Sequence, residues 1–147
     1  MVEKSLVLIK PDAVERNLIG KIVDAYESNG LKVIAMRLLK VSEGLAEIHY
    51  KEHEGKAFYK SLIGYITRSP LCALVLEGEN AISEIRRING ATDPKAAEAN
   101  TIRSLYAIDK TENSVHASDS KESALREISL WFPEVINKLE LEKEHIS

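Results

Sequence analysis

The chain has 147 residues, enough for one domain of ordinary size with a real core. Apolar residues make up 44% and charged residues 29%, a balance that excludes a disordered polymer. The 20 Lys and Arg against 23 Asp and Glu give a formal charge of −3, which argues against a general nucleic-acid binder but leaves room for a local basic pocket.

In chain order, Ser5 to Lys10 carries the run Leu6-Val7-Leu8-Ile9, which predicts a central strand covered on both faces, ended by Pro11-Asp12. Ile19, Ile22, Val23 and Tyr26 then recur at helical spacing, with Asn29-Gly30 as the stop. A second strand is predicted from about Leu31 to Val41. Ser42 reads as the cap of a following helix, with Glu43 at its positive end. Phe58, Leu62 and Tyr65 mark another helix, and Pro70 leads into a third strand, Leu71 to Leu76. Asn80 is placed to cap a helix carrying Ile82 and Ile85, with Gly90 at its end. Ala91 to Glu112 lacks strong periodicity, and a long irregular segment in a compact domain is usually functional. Ser114 to Ala117 reads as a short fourth strand. Asp119-Ser120-Lys121-Glu122 has capping-box spacing with Asp in the cap, ahead of a helix bearing Leu125, Ile128 and Phe132 that Pro133 stops.

This order is compatible with an α/β (α+β) fold of ferredoxin-like type: a split β-α-β arrangement with a four-stranded antiparallel sheet and helices on one face. Residues 1–147 read as a single domain with a charged tail from about 134. The single cysteine, Cys72, lies in an apolar strand-like run and reads as buried, and no internal disulfide is possible. Met1-Val2-Glu3-Lys4 does not read as a signal peptide, and the apolar runs are too short to span a bilayer. The expectation is a cytoplasmic protein with no membrane partner.

Chemistry concentrates in Asn113-Ser114-Val115-His116-Ala117-Ser118-Asp119, where a histidine on a short strand directly precedes a capped helix. A lone histidine is more often structural than catalytic, so His116 alone decides nothing. His49, His53 and His145 lack such a setting, and His145 reads as a solvated tail residue. There is no His-x-x-x-His pair and no Cys/His cluster to suggest zinc. Lys10, Arg86, Arg87, Thr92 and Arg103 could bind phosphates, although each taken singly reads as surface charge. No glycine-rich phosphate loop is present, so a phosphate site would be built from side chains. The planar fork of Arg suits that task.

From Lys4 to about Pro133 the chain resembles the nucleoside diphosphate kinases. The resemblance rests on Ile9-Lys10-Pro11-Asp12-Ala13-Val14, Glu77-Gly78-Glu79-Asn80, Gly90-Ala91-Thr92-Asp93-Pro94, Thr101-Ile102-Arg103 and Asn113-Ser114-Val115-His116-Ala117-Ser118-Asp119-Ser120, in the family's order and spacing. It implies a ping-pong transfer of the terminal phosphate of a nucleoside triphosphate, usually ATP, to a nucleoside diphosphate, which maintains NTP and dNTP pools. His116 matches the family's nucleophile, Glu127 the acid that holds its ring, and Ser118 the residue that steadies that acid. Lys10, Arg86, Thr92 and Arg103 match phosphate ligands. Asn113 and Lys10 match sugar contacts, and Tyr50 a tyrosine beside the histidine. Phe58 matches the aromatic that stacks on the base, and Leu62 extends that apolar surface. Spacing alone would put both in a helical core, and would leave Glu127 an exposed helix charge. The resemblance also implies Mg2+ held mainly by nucleotide phosphates and water, no obligatory nucleic acid, and a homo-oligomer. The Pro94 loop and the tail point to a hexamer, with a tetramer as the alternative.

Two departures stand out. Ala117 replaces the family's usual glycine, which is tolerable if the backbone there has negative φ. Lys110 stands where an apolar residue commonly packs on the base. An inactive regulatory or nucleotide-binding module with the same fold is the alternative. A nucleic-acid-binding ferredoxin-like domain would require exposed sheet aromatics and a basic surface.

Overall fold

The computed structural model describes residues 1–136. Its sheet has four strands, β1 (Val2–Ile9), β2 (Lys32–Leu39), β3 (Leu71–Glu79) and β4 (Val115–Ala117), in the order β2-β3-β1-β4. All three pairings are antiparallel. Between the strands lie α1 (Pro11–Glu15), α2 (Ile19–Glu27), α3 (Glu43–His49), α4 (Tyr59–Thr67), α5 (Ala81–Asn89) and α6 (Ile102–Tyr106), and α7 (Lys121–Trp131) follows β4. This is the expected ferredoxin-like split β-α-β arrangement, extended by extra helices.

The expectation of helices on one face is corrected. Alternating residues of the central strands point to opposite sides, and both sides are buried. Val7, Ile9, Cys72, Leu74 and Leu76 pack under Ile22 and Tyr26 of α2 and Ile85 and Ile88 of α5. Leu6, Leu8, Ala73 and Val75 pack under Ala46 of α3, Ile66 of α4, and Ala124, Ile128 and Trp131 of α7. The unbroken apolar run of β1 is the sequence trace of this double cover. Each fully buried Leu or Ile side chain contributes about 1.5–3 kcal/mol. Covered on both sides, the central strands β1 and β3 offer no open face for stacked bases, and exposed β2 presents aliphatic rather than aromatic side chains, which disfavours the nucleic-acid reading.

Several local expectations change. A short helix, α1, begins at Pro11 where only a strand end was expected; Pro is well suited to the first helical turn. Ser42 caps α3 as expected, its Oγ accepting from Leu45 N–H. Asn80 does not cap α5 with its side chain: it has φ 50°, and Glu3 Oε1 accepts from Ile82 N–H instead. The cap of α7 lies at Ser120, one residue later than expected, and Asp119 instead accepts from the Ser123 hydroxyl. Leu125 is 58% exposed, whereas Ile128 and Phe132 are buried. After Pro133 the chain turns helical again over 133–136. The rest of the predicted tail, His145 included, lies outside the described residues. Among the described residues, no helix is long and apolar enough to cross a membrane.

Candidate active site

In register, His116 of β4 lies opposite Leu8 of β1, and its neighbours Val115 and Ala117 face the α2/α5 core. Strand alternation therefore turns His116 to the other side, toward α3 and α7. There its Nε2 lies 2.9 Å from Glu127 Oε1 on α7. The same carboxylate oxygen accepts from the Ser118 hydroxyl at 2.9 Å, and Ser118 Oγ accepts from the Leu6 N–H of β1 at 3.2 Å. Burial on its own would push the Glu127 carboxyl up. The hydrogen bond and charge of His116, the nearby His49 and the Ser118 bond together hold it below its ordinary value. An ionised Glu127 accepts a hydrogen bond from Nε2–H, so the neutral ring's lone pair is left on Nδ1.

These groups border a cleft of about 340 Å³ lined by Lys10, Tyr50, Arg86, Thr92, Arg103, Asn113, His116 and Glu127, among others. Lys10 ends β1, is buried, and donates to Asn113 Oδ1 at 2.8 Å. Burial and then the neighbouring Arg103 bring its ammonium down to about 8, against the opposing pull of Asp12. Asp12 is itself buried and accepts from the Tyr65 and Ser114 hydroxyls and from Arg16. Ser114 holds φ at 71°, an unusual conformation for a residue with a side chain, directly before β4.

Arg103 is aimed by two backbone carbonyls. Its Nη1 donates to Gly90 at 2.7 Å and its Nη2 to Val115 at 2.8 Å. Burial lowers its pKa, as expected for a cation kept from water. Gly90 cannot be replaced freely: its φ is +86°, and an added Cβ would lie 2.4 Å from Thr101 Oγ1. Among the described residues, the Tyr50 hydroxyl and Arg103 Nε are buried without a hydrogen-bond partner. Both residues line the cleft. Such orphaned groups are costly and mark where a polar ligand would repay them.

The structure thus brings eight sequence-predicted residues to one cleft. Ser118 stands behind it, wholly buried. Phe58 and Leu62 are not among its lining residues. Phe58 immediately precedes α4 and is 49% exposed, so it is no core residue, while Leu62 packs half-buried against the α3/α7 core. Ala117 is not among the residues with positive φ, so its methyl group is accommodated. Lys110 lies at the surface, 3.8 Å from Asp93.

Sequence reasoning missed His49, Glu52, His53, Asp119 and Arg126 as cleft residues. The dismissal of His49 is overturned: its ring centroid lies 4.8 Å from that of His116, near perpendicular to it. Only the fold joins a residue at the end of α3 to one on β4. Arg126 had a signal of a kind, preceding Glu127, and it pairs with Glu52 at 2.9 Å. The carboxylates of the cleft are already engaged: Glu127 by His116 and Ser118, Glu52 by Arg126, Asp119 by Ser123.

Comparison with known proteins gives a consistent result. The family model described as nucleoside diphosphate kinase matches residues 3–136. A nucleoside diphosphate kinase of Clostridium perfringens is 65% identical over 133 residues, covering 90% of this chain and 93% of the relative. One from Methanobrevibacter smithii is 52% identical, covering 91% and 89%. Among solved structures, the Aquifex aeolicus nucleoside diphosphate kinase superposes with a TM-score of 0.87 at 38% identity, covering 90% of this chain and 96% of that one. A halophilic nucleoside diphosphate kinase from Halobacterium salinarum, in complex with CDP, gives 0.87 at 41% identity, covering 90% and 88%.

Proposed function

The chain belongs to the nucleoside diphosphate kinase family, enzymes that transfer phosphate between nucleotides, and we propose that it does so by a ping-pong cycle through a phosphohistidine at His116. The observation that carries this reading is the 2.9 Å pairing of His116 Nε2 with Glu127 in a cleft whose wall carries the buried Lys10 and the half-buried Arg103. With Nε2 committed, Nδ1 is the nucleophile. Its lone pair forms the N–P bond while the bond to the bridging oxygen breaks, and the diphosphate leaves with that electron pair. A second nucleoside diphosphate then enters and takes the phosphate by the reverse step.

Lys10, Arg86, Thr92 and Arg103 stabilise charge on the phosphates, and preorganised cations usually contribute more to such a transfer than any other group. Lys10 and Asn113 meet the sugar hydroxyls, and the free Tyr50 hydroxyl meets the transferring phosphate. Phe58, with Leu62, offers a flat surface to the base, which reads no base identity. A divalent metal, Mg2+ in this reading, would be held mainly by the nucleotide and water and would supply charge neutralisation at the phosphates. The cleft suits an ion that arrives with its nucleotide, because among the described residues it has many cations and its carboxylates are engaged by other side chains.

ATP is the donor in this reading, CDP-type diphosphates are among the acceptors, and the compartment is the cytoplasm. Residues 1–147 act as one catalytic domain. A homo-oligomer is supported by the outer edge of β2, which pairs with no further strand among the described residues and where Ile34, Met36 and Leu38 are exposed; a hexamer before a tetramer is the order in this reading. The inactive-module alternative is disfavoured by the intact set of cleft residues and the high identity to named kinases. Incubation with labelled ATP and Mg2+ should give an acid-labile, alkali-stable phosphoprotein, and His116→Ala should abolish it. Full labelling of that variant would reject His116 as the carrier.

A further inference from the structure

His49 has no part in the transfer described above, yet it is surrounded by the groups that do. Its ring makes near-perpendicular contacts with three others: Tyr50 at 4.8 Å, His116 at 4.8 Å and Trp131 at 5.4 Å between centroids. Its Nδ1 accepts from the indole N–H of Trp131 at 3.1 Å. An indole nitrogen can only donate, so this bond requires a lone pair on Nδ1 of His49 and places the ring's one proton on Nε2. Polar atoms of His49, His116 and Glu127 all lie within 4.8 Å of one another.

That proximity creates a problem. Glu127 has to hold His116, but a second imidazole within reach could compete for it. A charged His49 would be the stronger donor and would draw the carboxylate away. The His116 ring would then lose the bond that leaves Nδ1 free. We propose that Trp131 acts through His49 as a positioning pair: the indole locks His49 in one uncharged tautomer, so that Glu127 stays committed to His116 and the His49 ring braces the nucleophile's face.

The surroundings agree with this role. The groups acting on His49 are His116 from β4, Glu127 and Arg126 from α7, and Lys10 from the end of β1. Burial, then the adjacent His116, hold the His49 imidazole down at about 3, with Glu127 opposing. Trp131 is buried at the end of α7, one turn beyond Glu127, so one helix supplies both the acid and the lock.

The inference rests on His116 as the carrier, which the labelling of His116→Ala tests separately. Trp131→Phe keeps a buried aromatic ring while removing the donor, together with part of the ring volume. In single-turnover transfer from MgATP it should slow phosphorylation of His116 by roughly tenfold or more. The ADP dissociation constant should stay within about twofold, because the phosphate ligands are untouched. Nitrogen-15 spectra of the unloaded wild-type protein should show His49 as the Nε2–H tautomer from pH 5 to 8, and in Trp131→Phe the ring should sample both tautomers or take up a proton. These spectra need no turnover, so they report on the lock even if His116 were not the carrier. An unchanged phosphorylation rate, a parallel loss of rate and ADP affinity, or a wild-type His49 protonated at Nδ1 would each overturn the proposal.

Discussion

At the histidine end of the cleft, Leu6 N–H, Ser118, Glu127 and His116 form a continuous chain of hydrogen bonds rooted in the central strand β1. Phe58, just before α4 and outside the cleft lining, is the other end of the comparison: it is 49% exposed, with the ring of the cleft residue His53 5.4 Å away and the Lys56 ammonium 5.7 Å from its ring centroid. One end has its geometry fixed before any ligand arrives. The other offers an open aromatic edge that many bases could meet. The contrast suggests that the protein invests rigidity where a phosphorus atom must be met in line and leaves base recognition loose.

If that contrast is right, losses should be larger for residues around the histidine and the phosphates than for Phe58. Lys10→Met should show the largest effect, lowering kcat by at least about 100-fold, because a buried cation aimed at the phosphates has no substitute. A smaller loss than that from Phe58→Ala would break the comparison. Glu127→Gln should come next, slowing transfer by about 10- to 100-fold in single-turnover measurements while calorimetry shows ADP binding nearly intact. If ADP binding collapsed as well, the carboxylate would be a structural strut rather than an aiming device.

A pH series sharpens the same point. The Lys10 ammonium is brought down to about 8, so below that pH the empty cleft carries its charge and above it the charge is lost. Bound phosphate favours the protonated form, so binding above pH 8 takes up a proton. Affinity for a triphosphate should therefore weaken as pH rises, by up to about tenfold per unit. Lys10→Met should flatten that dependence in direct binding measurements. The smallest effect should come from Phe58→Ala: a KM raised about fivefold, alike for purine and pyrimidine diphosphates, with kcat little changed. A loss confined to purines would mean that the open end does read bases.

Much of this was visible in the order of residues, and the exceptions are physical. The strands were legible because apolar runs flanked by Pro, Asn and Gly mark them, and the buried β1 run even signalled cover on both sides. Where sequence and fold part, a distant residue takes over the role that local pattern gives to a nearby side chain. Asn80 looked like a cap, but Glu3, brought alongside by the β1–β3 pairing, accepts from the first turn of α5. Leu125 fitted the helical pattern yet faces outward, because α7 turns Ala124, Glu127, Ile128 and Trp131 inward. Glu127 and Phe58 drew their expected roles from resemblance alone: periodicity would have exposed the first and buried the second, and the fold does the reverse. His49 was missed because nothing in its neighbours along the chain foretells a partner 82 residues away in Trp131.

The bond between His116 Nε2 and Glu127 involves the ring atom that is not the proposed point of attack. Loading a phosphoryl group onto Nδ1 leaves that contact unbroken, and with it the whole support behind it. In the proposed cycle both half-reactions would then draw on one unchanged support, with the relative abundance of the nucleotides setting the direction of net transfer.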